Sequence, residues 1–260
     1  MAVRYDNWAG KRERAETAKR HTAEMDRHYG LYIRQSLMNT RTYSPGFSSK
    51  RKPGGFQTVV TVEDLDSVSA VFRHHQEGRE AVLNFSSYKH PGGMFLGGSR
   101  AQEECLCHES TLYNVLREKR DFYRWNNLHK NNSLYENRAL YSGDIVFVRD
   151  GTAVLCDVIT CAAPNRTAAE RRSGMSGLEN MMALRSRIAF VLDVAKENGV
   201  ETLILGAYGC GVFGQDPKYV ASVFHTLLDE DFRGVFRRVV FAIPKRDTDT
   251  NYEDFLSEFG

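Results

Sequence analysis

The chain has 260 residues, 42% of them hydrophobic, enough to bury one sizeable core as a single domain. Thirty-five lysines and arginines against 33 aspartates and glutamates leave a net charge of +2, which excludes a global electrostatic case for nucleic acid or membrane, so partners must be argued from a site. No apolar run approaches the roughly 18 residues that cross a bilayer, and five cysteines form an odd set without framework spacing; both fit a soluble, cytoplasmic protein with reduced thiols.

Residues 11–30, rich in Arg, Lys, Glu and Ala, predict a solvated amphipathic helix that ends at Gly30 and covers the core. Residues 39–55, with two prolines among glycines, serines and lysines, predict a loop whose Lys50, Arg51 and Lys52 form a solvated charge run. With the preceding helix they make an N-terminal extension of about residues 1–55 on a domain spanning 1–260.

Residues 58–62 are β-branched and predict a strand; Asp64 then caps a helix carrying Leu65, Val68, Val71 and Phe72 at helical spacing, and residues 81–85 predict the next strand. That alternation points to an α/β fold with helices on both faces of a sheet. Gly92, Gly93, Gly97 and Gly98 follow the strand at its carboxyl end, where such sheets place ligands, and Gln102, Glu103 and Glu104 open a helix. A strand-to-helix turn presents unpaired N–H groups to an anion, although acids in a first turn also simply complement the helix dipole. Cys105, Cys107 and His108 lack a second ligand pair and read as side chains on a helix, with no metal.

Residues 117–137 predict helix ends and surface loops. Residues 145–149 and 153–161 predict an antiparallel pair around the hairpin signal Asp150-Gly151. The second strand runs into Ala162, Ala163, Pro164 and Asn165, whose side chain is placed at the same crevice, and residues 166–177 predict a mobile loop. A helix over 178–198 stopping at Gly199 and a strand over 202–205 lead to a second glycine turn, residues 206–214, with another helix from Pro217. Two glycine turns, each between a strand and a helix, suit a ligand with an extended anionic middle such as a diphosphate.

The run PGGMFLGGSRAQEE resembles the signature of the microbial-type poly(ADP-ribose) glycohydrolases, three glycines, a short spacer and Gln-Glu-Glu, with Met94 in place of the third glycine. GAYGCGVFG resembles the phosphate-binding loop of the same family and of macrodomains. The resemblance implies a macrodomain-like three-layer α/β/α sandwich with a mixed sheet. It also implies a hydrolase that cleaves ribose–ribose bonds of poly(ADP-ribose), without a cofactor. Glu104 is then the general acid/base, Glu103 binds ribose hydroxyls, Asn84 binds the distal ribose, and Phe213 packs against that ribose. Gly92, Gly93, Gly209, Cys210, Gly211 and Val212 lie along the diphosphate, with Met94, Gln102, Ala163, Pro164 and Gly206 completing the ligand set and Asn251 and Phe255 as adenine-side candidates.

Adjacent glutamates on a helical start should diverge, so they are not expected to flank the sugar as a glycosidase pair. Met94 either points away or enters the ribose pocket, and is strained if forced to positive φ. The partner expected is ADP-ribose or its polymer on modified protein or nucleic acid, met by a monomer. A mono-ADP-ribosyl hydrolase and a non-catalytic ADP-ribose reader are the alternatives, the two glutamates favouring an enzyme.

Overall fold

The computed structural model describes residues 10–75 and 78–260, so the first nine residues of the expected N-terminal extension lie outside the described residues. In chain order the elements are α1 (Lys11–Asn39), β1 (Arg41–Tyr43), β2 (Val59–Glu63), α2 (Ser67–His74), β3 (Glu80–Phe85), α3 (Gln102–His108), α4 (Leu112–Leu116), α5 (Arg120–Leu128), β4 (Ala139–Arg149), β5 (Thr152–Cys161), α6 (Arg166–Ser173), α7 (Gly177–Glu197), β6 (Thr202–Leu205), α8 (Pro217–Asp229), β7 (Arg238–Ala242) and α9 (Asn251–Phe259). The strands form one mixed sheet in the order β1-β4-β5-β3-β6-β7-β2. β5, β3, β6, β7 and β2 run parallel, and β1 and β4 are antiparallel at one edge.

The period-2 alternation of the strands separates two cores. Leu83, Ile159, Leu203, Leu205, Val239 and Phe241 point to the face packed by α7, α8 and α9. Val82, Val158, Ile204 and Val240 point to the other, packed by α1, α2, α3, α4 and α5. This is the expected three-layer sandwich. The hairpin turn is as predicted, with Asp150 at φ 49° and Gly151 at φ 77°, both left-handed as a type I′ turn requires. No helix of the described residues is long and apolar enough to cross a membrane. Lys50, Arg51 and Lys52 are exposed, as expected of a solvated run.

Several boundaries differ from the sequence expectations. α1 does not stop at Gly30, which is not in the left-handed conformation of a C-terminal cap; it bends at Tyr29 (φ −121°, ψ 20°) and continues to Asn39, burying Ile33 and Ser36. The Ser36 hydroxyl donates to Gly143 O at 2.6 Å. The loop expected over 39–55 contains β1, which extends the sheet beside β4. The cap of α2 is Asp66, whose carboxylate accepts from Ser69 N at 2.9 Å, while Asp64 accepts from Lys245 N at 2.8 Å and Leu65 precedes the helix.

Residues 117–137 are not chiefly surface loop, since α5 buries Phe122, Tyr123 and Asn126 beneath a polar outer face. The mobile loop expected at 166–177 is mostly α6, capped by Asn165 Oδ1 on Ala168 N at 2.9 Å and closed by Gly174 at φ 64°. Asn165 thus caps α6 while its side chain also hydrogen-bonds Tyr135.

Candidate active site

β3 and β6 are neighbours in the sheet and run parallel, so the two glycine turns leave adjacent strand tips on the same edge. The turns touch at their roots. A β-carbon on Gly206 would stand 3.0 Å from Phe85 Cζ, and the rings of Phe85 and Tyr208 meet edge-on at 5.6 Å. Gly206 is thus a close-packing glycine.

At the start of α3, Gln102 acts as an extra rung of β3. Its Oε1 accepts from Phe85 N at 2.8 Å and its Nε2 donates to Leu83 O at 2.8 Å, with Ser67 Oγ at 3.1 Å. It orients the helix instead of meeting a ligand, because a side-chain amide reproduces the donor and acceptor of the backbone it replaces.

Glu103 and Glu104 are 3% and 5% exposed, and they do not diverge. Glu103 Oε1 accepts from Asn84 Nδ2 at 3.3 Å and Oε2 from Ser87 N at 2.6 Å. Glu104 Oε1 accepts from Met94 N at 2.8 Å and Oε2 from Ala101 N at 2.9 Å. The loop 86–94 folds back over the helix start, so both carboxyl groups are drawn to the backbone at Gly93, whose φ is +60°. Burial pushes Glu103 up to about 8, helped by the charge of Glu104 and opposed by the amides of Ser87 and Gly92 and by Asn84. Glu103 therefore keeps its proton to near neutral pH. Asn84 is fully buried and stands one hydrogen bond behind Glu103, with Thr160 Oγ1 also 3.3 Å from its Nδ2.

The remaining glycines divide between packing and access. Gly92, at φ +65°, lies against Tyr113 and Cys107, Gly97 lies against Met94, and Gly98 seats α1 against the backbone of Lys11 and Ala15. Arg14 Nε donates to Gly98 O at 2.8 Å. Met94 adopts φ −109°, unstrained, and its 55%-exposed side chain turns outward over Gly97.

In the second turn Gly209 packs on Ala163 and Gln215, Cys210 is half-buried with its thiol raised by burial, and Gly211 faces open space. Val212 is 87% exposed. Among the described residues the amides of Gly211, Val212 and Phe213 have no hydrogen-bond partner, leaving three consecutive donors at the strand tip. Ala163 and Pro164 form the buried wall behind them, with Pro164 O accepting from Gln215 Nε2 at 2.8 Å.

Half-buried Phe213 meets Tyr135 edge-on at 6.2 Å, and Tyr135 stacks on Tyr88 at 4.1 Å. This aromatic cluster joins three loops and was not visible in the sequence, where Tyr135 sits in an amide-rich run. Ser87 gave no signal either, since it works through its amide. Phe255 is fully buried against Phe241, so it belongs to the core rather than to an adenine site, and Asn251 opens α9.

A cavity of about 570 Å³ lies at the opposite end of the sheet, beside Arg41, Arg51, Arg79, Asp144 and Gly199. It sits at the amino ends of β3 and β6 and takes no part in the arrangement of Glu103 and Glu104. Among the described residues no group of three or more His, Cys, Asp or Glu is arranged to hold a metal ion.

Comparison with known proteins agrees with this geometry. A family model described as the catalytic domain of microbial-type poly(ADP-ribose) glycohydrolase (PARG) matches residues 11–150. The poly(ADP-ribose) glycohydrolase of Thermomonospora curvata, solved with the inhibitor ADP-HPD, superposes with a TM-score of 0.83 at 31% identity over 95% of this chain and 99% of that one. The chain belongs to the microbial-type PARG family. The PARG of Deinococcus radiodurans in complex with ADP-ribose gives a TM-score of 0.80 at 32% identity over 87% of this chain and 96% of that one. No curated protein matches the chain. Within this PARG the departure at Met94 leaves the loop conformation unstrained.

Proposed function

We propose that this chain hydrolyses the ribose–ribose O-glycosidic bonds of poly(ADP-ribose) and releases ADP-ribose, acting as a cytoplasmic monomer on polymer carried by modified protein. The observation that carries the proposal is the pair of buried carboxyl groups gathered at Gly93, on the strand tip next to the bare amides of Gly211, Val212 and Phe213. The amides bind the diphosphate, since consecutive N–H groups in a turn make an anion-binding concavity. Phe213 packs against the distal ribose and aims its anomeric carbon.

Bond cleavage passes through an oxocarbenium-like state that needs a proton on the leaving oxygen and a base for water. Glu104 gives a proton to the leaving ribose oxygen, then takes one from the water that adds to the anomeric carbon. Glu103, fixed by Asn84 and Ser87, binds ribose hydroxyls. The chemistry closes with both carboxyl groups in their starting forms.

The test incubates the chain in parallel with poly(ADP-ribose), mono-ADP-ribosylated protein and mono-ADP-ribosylated nucleic acid, scoring free ADP-ribose. Release from the polymer is expected. Release only from a mono-ADP-ribosylated substrate, or binding of ADP-ribose without release from any of the three, overturns the proposal.

A further inference from the structure

α7 packs on the sheet through Leu184, Ile188 and Val191, and Arg187 falls on the same stripe with 1% exposure. Proteins do not deprotonate a guanidinium, so a full positive charge sits in the core. Buried charges ordinarily lie against an opposite charge. Among the described residues Arg187 has no carboxylate partner; its Nε donates to Asn137 Oδ1 at 2.8 Å, its Nη2 to Leu134 O at 3.4 Å and its Nη1 to Ala162 O. All three acceptors are neutral.

These acceptors adjoin the cluster of Tyr88, Tyr135, Ala162 and Phe213. A trans peptide points its N–H opposite to its C=O, so holding Ala162 O inward turns the Ala163 amide away from the guanidinium. That amide, too, has no partner among the described residues. Leu134 and Asn137 flank Tyr135, the ring that meets Phe213. The segment is strained, with Asn131, Asn132, Ser133 and Tyr135 at φ of 41°, 49°, 72° and 62°. Burial raises the hydroxyls of Tyr88, Tyr135 and Tyr208 and the thiol of Cys161, and Arg187 works against the rise at all four, so its field reaches the roots of the crevice loops.

We propose that Arg187 is the fixed countercharge of the crevice, a positioning residue that favours a diphosphate-bearing ligand from behind the wall while holding the strained segment that carries Tyr135. This rests on the ADP-ribose reading of the site. Peptide dipoles supply only partial charges, and a whole charge in a low-dielectric wall adds attraction that water does not screen away.

The test measures ADP-ribose and adenosine binding by the full chain, by Arg187→Met and by Arg187→Lys, with thermal melts of each. A wild-type chain that fails to bind ADP-ribose removes the functional reading and this inference together. With that binding present, Arg187→Met is expected to weaken ADP-ribose by about tenfold and adenosine by less than about twofold. Equal loss of both ligands, or loss of neither, overturns the inference while leaving the functional reading standing. Arg187→Lys keeps the charge and loses the three-way fork, so the ratio of ADP-ribose to adenosine affinity is expected to survive as the melting temperature falls. Should Arg187→Met not fold, a collapsed ratio in Arg187→Lys overturns it alone.

Discussion

A β-carbon on Gly93 would stand 2.6 Å from Glu104 Oε1, closer than real β-carbons come to any atom, and Gly93 is also at φ +60°. Gly93→Ala must therefore push the carboxyl off Met94 N and strain the turn at once. Polymer hydrolysis is expected to fall at least about 100-fold. Gly177→Ala is the control, because its β-carbon meets nothing within 4 Å and it lies outside both glycine turns. Equal activity in the two variants, read as ADP-ribose release, would show that Glu104 does not need its position.

Glu104→Gln keeps the size of the side chain and removes its ability to exchange a proton. Turnover is expected to drop by about a thousandfold, within the range of general acid–base catalysis, while ADP-ribose still binds. Single-turnover hydrolysis with calorimetry separates the two. A fully active Glu104→Gln enzyme would remove the assignment of acid/base to this residue.

Glu103 is pushed up to about 8 by burial, with Glu104 adding to the rise. A carboxyl raised in the folded state stabilises fully below its ordinary value of 4.5 and loses that contribution as pH climbs through about 8. Glu80, buried beside Asp157 and also raised to about 8 by burial, acts in the same direction. The melting temperature is expected to fall between pH 5 and about 8.5, and Glu103→Gln and Glu80→Gln to flatten that fall. Activity should decline on the alkaline side as Glu103 loses its proton; a rate that stays unchanged through about pH 9 would count against a protonated Glu103 in the working site.

The mixed α/β sheet and the two glycine turns at neighbouring strand tips follow from features the sequence displays, namely strand–helix alternation and glycine turns at strand ends. What escaped it was work done by backbone or by mimicry of backbone. Gln102 looks like part of a ligand motif, yet its amide completes the ladder of β3. Glu103 and Glu104 converge only because the amides of Ser87 and Met94 fold over them, and amides carry no residue signal. α6 was hidden because its Arg- and Ser-rich residues show no apolar period, and its stability comes from the Asn165 cap and from packing on α7. Arg187 was legible in principle, since it interrupts the apolar spacing of Leu184, Ile188 and Val191.

Phe213 offers a way to separate aim from affinity. Its carbonyl accepts from Thr167 N at 3.2 Å, the first turn of α6, and its ring leans on Tyr135, so the backbone of the turn is held independently of the ring. Truncating the ring leaves the bare amides of Gly211 and Val212 in place but frees the distal ribose to rotate away from Glu104. Phe213→Ala is therefore expected to lower kcat by about tenfold and to change the Kd of ADP-ribose by less than about threefold, because loss of a near-attack geometry falls on the transition state. Steady-state kinetics beside calorimetry read both. The reverse pattern, weak product binding with kcat preserved, would make Phe213 a binding surface and leave the anomeric carbon to be aimed by Glu103 alone.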